Sequence, residues 1–142
     1  MDVTTELEDA LIDWTRFAEA RSHLGSSFWR VMGYLREDGQ KAVTAIETAL
    51  RSKDAAGLIG PAELLKTEAL QMGAYGVAEI AEEIELQSRE CVEWRQSPEF
   101  LLETVVKLRS RFEQTVARLE QEASPLLERK AAISRSMEFA IR

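Results

Sequence analysis

Residues 61–74 read PAELLKTEALQMGA, and the spacing of their apolar side chains decides the class of fold. Ala62, Leu65, Ala69 and Met72 recur at three- and four-residue steps, the period of one face of an α-helix and not of a strand. The opposite face collects Ile59, Glu63, Lys66, Thr67 and Leu70, so that one acid and one base stand beside apolar side chains. Such a mixture suits a protein docking patch. An ordinary solvated helix face has the same composition, and on that reading Glu63 and Lys66 form an i,i+3 pair worth only about 0.2–0.5 kcal/mol.

Working outward, the helix containing this stretch is expected after Lys53, with Asp54 as its cap, Leu58 on the buried side and Gly73 as its stop. Pro61 requires either a kink or a helix that begins at Gly60 or Pro61. Upstream, Leu7, Ala10, Leu11, Trp14, Phe17 and Ala18 predict a first helix capped by Thr4 or Thr5 and ending near Ser22 to Gly25. A second runs from about Ser26 to Arg51 on Phe28, Val31, Met32, Leu35, Val43, Ile46 and Leu50, with Asp38 and Gly39 loosening its middle. Downstream, Val77, Ile80, Ala81, Ile84, Ser88 and Cys91 mark a helix over about 74–92, with Glu79, Glu82, Glu83 and Glu85 on its outer side. Ser97-Pro98-Glu99 is a helix start, followed by Leu101, Val105, Leu108, Phe112, Val116 and Leu119. Ser124-Pro125 repeats that signal.

No run alternates Val, Ile, Thr or aromatics as a strand would, and no solenoid repeat occurs. The fold expected is all-α: an antiparallel up-and-down four-helix bundle with an additional N-terminal helix and a C-terminal extension. Residues 1–121 form the bundle and 122–142 a partly helical or mobile tail.

With 142 residues, 25 acidic against 18 basic and a net charge of −7, the chain has the size of one domain. The acidic excess tells against nucleic acid and against an anionic membrane surface, both of which need clustered Lys and Arg. One cysteine excludes an internal disulfide. The longest uncharged stretch, Ala69 to Ala78, is half the length of a bilayer span, and MDVTTELED is acidic where an export signal is basic and then apolar. A cytoplasmic location is the expectation.

A Glu-rich bundle invites a di-iron centre, which needs two Glu-x-x-His pairs. The single histidine, His23, follows Ala20 at that spacing, so the site cannot be built. One Cys and one His do not make a zinc site, and a catalytic triad or Cys–His pair would have to recruit His23 from the turn Ser22-His23-Leu24-Gly25. No glycine-rich phosphate loop occurs, and no cofactor is expected. Cys91 falls on an apolar stripe as a small buried hydrophobe, and Trp14, Trp29 and Trp94 are read as core or near-core packing.

The third-helix segment resembles the signature of histidine-containing phosphotransfer (Hpt) domains, which reads Ala-His-x-Leu-Lys-Gly-x-Ala/Ser followed shortly by Gly-Ala. The matching positions are Ala62, Glu63, Leu65, Lys66, Thr67, Ala69, Gly73 and Ala74. Ile12-Asp13-Trp14, Ala49-Leu50 with Asp54 beyond, and Ala81-Glu82-Glu83-Ile84-Glu85 resemble flanking family positions in the same order, so the likeness spans about residues 6–120. The resemblance implies a four-helix bundle of two-component phosphorelay signalling, with response-regulator receiver domains and a hybrid histidine kinase as partners.

Two departures stand out. Glu63 occupies the place of the family's phosphoacceptor histidine, so no catalytic residue is expected there. Thr67 replaces a glycine that lets the receiver approach closely. The docking face implied is Ile59, Glu63, Lys66, Thr67 and Leu70. Three functions follow: a non-transferring competitor or scaffold for receivers, a phosphotransfer intermediate in which Glu63 is a variant or engineered replacement of the histidine, or a structural bundle that oligomerises through its tail.

Overall fold

The computed structural model describes residues 11–141, with side chains up to residue 123. Its helices are α1 (Trp14–Leu24), α2 (Phe28–Arg51), α3 (Ala55–Gln71), α4 (Tyr75–Trp94) and α5 (Leu102–Ile141), with short 3-10 turns at Gly25–Ser27 and Pro98–Leu101. α2 to α5 form the all-α up-and-down bundle expected, and α1 is the additional N-terminal helix. α3 packs on α2 and α4, and α5 closes the ring by packing on the same two helices. Among the described residues the outer side of α3 is thereby left open.

Each boundary has a local cause. The expected caps Thr4 and Thr5 lie outside the described residues, within which α1 begins at Trp14. Asp13 caps it by accepting a hydrogen bond from the Arg16 amide at 3.0 Å. Residues 11–13 are not helical because they are tied to the turn between α3 and α4: Asp13 N donates to Gly73 O at 2.8 Å and Gly76 N to Leu11 O at 2.9 Å. The buried face of α1 is Phe17 and Ala20, and Ala18, expected on it, is exposed.

Asp38 and Gly39 do not loosen α2, which is helical throughout. Gly39 instead allows a close crossing, since a Cβ there would lie 2.5 Å from the Phe112 ring of α5. α3 starts six residues before Pro61, capped by Asp54, whose carboxylate accepts from the Gly57 amide at 3.0 Å. It passes through Pro61 although that residue has no N–H to offer the Gly57 carbonyl. Gly73, at φ 79°, turns the chain where its missing Cβ avoids the Asp13 carbonyl. α4 ends on Arg95 in the left-handed region, φ 54°. Ser97 makes no side-chain capping bond to the turn that Pro98 opens.

Leu58, Ala62, Leu65 and Ala69 of α3 are fully buried against Met32, Val43 and Ile46 of α2, Val77, Ala81 and Ile84 of α4, and Leu108, Phe112 and Leu119 of α5. Cys91 is buried on the α4 stripe as expected. Trp14 packs half-buried against this core with the Arg118 guanidinium 4.9 Å above its ring. Trp29 and Trp94 are exposed, contrary to expectation. Phe28 takes the core position next to Trp29, and Trp94 is the last residue of α4. The backbone of α5 runs helically through Ser124-Pro125 to Ile141, a helix of 40 residues and about 60 Å.

Candidate functional site

Glu63 sits at the middle of α3 on its open side, with Leu64, Thr67 and Leu70 exposed around it, and the core stripe of Ala62, Leu65 and Ala69 fixes that orientation. Ile59, at the edge of the same face, is half-buried. The five residues read from the sequence as a docking face do lie on one side of α3, with Ile59 and Lys66 turned partly toward the bundle.

The electrostatics of this face depend on two residues of α4 that sequence reasoning did not assign to it. Glu85, expected on the outer side of α4, is buried, its side chain only 8% exposed. Its carboxylate takes Lys66 Nζ on Oε1 at 2.8 Å and Arg89 Nε and Nη2 on Oε2 at 3.2 and 3.1 Å. Arg89, half-exposed, also donates to the Glu63 carboxylate at 3.5 Å. Lys66 therefore pairs across the helix interface with Glu85 and not with Glu63 three residues away. The hydrogen bond from Lys66, followed by those from Arg89, holds the Glu85 carboxyl below its ordinary range against the upward push of burial. The same bond raises the Lys66 ammonium. A signal for Glu85 existed in the sequence: it lies four residues after Ala81 and seven after Ala78, both buried, so it borders the stripe on the side that faces α3.

The Thr67 hydroxyl donates to the Glu63 carbonyl at 3.0 Å, so it is turned back onto its own helix. Lys66, Leu70, Tyr75, Ala78, Glu79 and Glu82 line a shallow depression of ≈ 330 Å³ between α3 and α4, with Leu70 and Tyr75 each more than two-fifths exposed. His23 is exposed at the end of α1, on a helix that contributes nothing to this face. A larger concavity of ≈ 580 Å³ borders α2 and α5. Its Arg109 is committed to Glu47, Thr44 and Glu113. Among the described residues no cluster of three or more His, Cys, Asp or Glu is placed to hold a metal ion, and no helix is long and apolar enough to cross a membrane.

The bundle is the fold of the crystal structure of histidine-containing phosphotransfer protein B (HptB) from Pseudomonas aeruginosa PAO1. The two superpose with a TM-score of 0.70 over 79% of this chain and 93% of that one, at 19% sequence identity. No family model and no curated protein matches the sequence.

Proposed function

We propose that this chain is an Hpt-type protein of two-component phosphorelay signalling that docks response-regulator receiver domains through α3 and does not carry the phosphoryl group. One observation bears most of this reading: on a bundle with the HptB fold, an exposed carboxylate, Glu63, paired with Arg89, stands where the family resemblance expects the phosphoacceptor imidazole. A carboxylate is a weak nucleophile, it repels incoming phosphoryl oxygens, and an acyl phosphate formed on it hydrolyses readily. The protein then competes for receivers, or holds them near a hybrid histidine kinase, in the cytoplasm.

The alternative, a transfer-competent site that lacks only its histidine, draws support from Lys66 and from the open approach to position 63. Two experiments test these readings. NMR titration of the labelled protein with individual receiver domains of the source organism should shift Ile59, Glu63, Lys66, Thr67 and Leu70. The absence of shifts with every receiver would refute docking. Glu63→His, mixed with a phosphorylated receiver, should remain unlabelled if the site has lost transfer, whereas acid-labile label would favour the alternative.

A further inference from the structure

We propose that the α3–α4 face discriminates by phosphorylation state, binding a receiver whose aspartate is unmodified and rejecting the same receiver once it is phosphorylated. This rests on the docking function proposed above and concerns what regulates it.

A face that welcomes a phosphoryl group needs cations whose charge is not already balanced by neighbouring carboxylates. Lys66 and Arg89 flank Glu63, yet both are hydrogen-bonded to the two oxygens of Glu85. Glu85 is buried beneath them, so its charge is not displaced by turning the side chain into solvent. Arg89 is shared further with Glu63 itself. The depression that continues from Lys66 toward Leu70 and Tyr75 is bordered by Glu79 and Glu82. Across this face four carboxylates, Glu63, Glu79, Glu82 and Glu85, thus stand against two cations that are already paired.

Its attractive contribution is apolar. Leu64, Leu70 and Tyr75 are exposed, and covering them does not depend on the state of the partner's aspartate. Phosphorylation raises the charge on that aspartate by about one unit at neutral pH, and the added charge arrives opposite Glu63. Apolar contact supplies affinity and the surplus of acids supplies the penalty against one state of the partner, which is how interfaces build specificity by repulsion. For one added charge meeting a half-exposed carboxylate at close range, Coulomb repulsion in a water-like dielectric weakens binding about three- to tenfold.

The experiment is a titration of the full chain with each receiver domain that binds it, free and as the beryllofluoride adduct of its aspartate, at one magnesium concentration and low salt. The expected result is an affinity about three- to tenfold weaker for the adduct, with the ratio shrinking as salt is raised. Glu63→Gln and Glu82→Gln, both on the surface and safe for folding, should bring the ratio toward one. Equal or tighter binding of the adduct overturns the inference while leaving docking intact. Binding of neither form overturns the docking function as well. A ratio unchanged in both variants removes these carboxylates as its cause.

Discussion

Gly33 and Gly39 lie on the same helix, α2, and replacing each with alanine separates packing from helix propensity. In both positions the backbone is helical, so the alanine contributes about 0.8–1 kcal/mol of helix propensity over glycine. At Gly33 nothing lies within 4 Å of the new Cβ, and the gain should appear undiminished. At Gly39 the Cβ would stand 2.5 Å from two ring atoms of Phe112 and 3.5 Å from Leu65. Phe112 is 2% exposed, so its ring cannot swing into solvent, and overpacking of this kind costs about 1–3 kcal/mol. Because the propensity term is common to both, the difference between the variants isolates the steric term, about 1–3 kcal/mol in favour of Gly33→Ala. Urea denaturation followed by circular dichroism reads it as a raised midpoint for Gly33→Ala and an unchanged or lowered one for Gly39→Ala, at an unchanged slope. A Phe112→Leu substitution should restore part of the loss in Gly39→Ala, a coupling that a double-mutant cycle measures. Equal midpoint shifts for the two alanines would refute the close crossing of α2 and α5.

Glu68 lines a ≈ 210 Å³ cavity with Tyr34, Asp38 and Gln71, its Oε2 has no hydrogen-bond partner among the described residues, and burial followed by the nearby Asp38 pushes its carboxyl up. A raised carboxyl weakens the fold where it ionises, so Glu68→Gln should raise the denaturation midpoint at pH 7, and the gain should vanish as pH falls below the ordinary range for glutamate. Ser88 is fully buried with its hydroxyl unpartnered among the described residues; Ser88→Ala should be neutral or stabilising by up to about 1–2 kcal/mol in a urea titration. Light scattering of a chain shortened by residues 124–142 tests whether the tail joins copies: that reading expects a smaller assembly than the full chain forms, and an unchanged monomer refutes it.

Most of the fold was legible because it rests on long stripes of identical period. The buried residues of α3 and α5 were read position by position from their three- and four-residue steps. The misreadings occurred where a tertiary contact overrides a local signal. The helical period expected from Leu7 to Ala18 does not hold at residues 11–13, where backbone hydrogen bonds join Asp13 to Gly73 and Leu11 to Gly76, sixty and sixty-five positions away in the chain, and no local pattern announces them. Gly39 has the sequence appearance of a weak point and is a point of contact, since what distinguishes the two is the ring of Phe112 on another helix. Core or near-core packing is the expectation for Trp94, a tendency of the residue type that its position as the last residue of α4 overrides.

The candidate site shows the same division. Glu63, Lys66, Thr67 and Leu70 share a face for reasons internal to one helix, so their grouping could be read. What sets the charge of that face is Glu85, and its role depends on which way α4 is rotated against α3. A carboxylate with both oxygens paired to cations is the arrangement expected of a structural lock between two helices, and here the lock balances positive charge that would otherwise meet a partner's anion. Glu63 compounds the effect by sharing Arg89. Two substitutions of opposite character would therefore act on one property: neutralising Glu63 removes repulsion at the centre of the face, and neutralising Glu85 would release Lys66 and Arg89 toward it. If docking depends on apolar contact and discrimination on charge, the first narrows the preference between receiver states while strengthening both complexes, the phosphorylated one more, because the unmodified aspartate is itself an anion. A loss of affinity for the unmodified receiver in Glu63→Gln would instead make the carboxylate itself a docking contact, and the preference for state would have to come from elsewhere on α4.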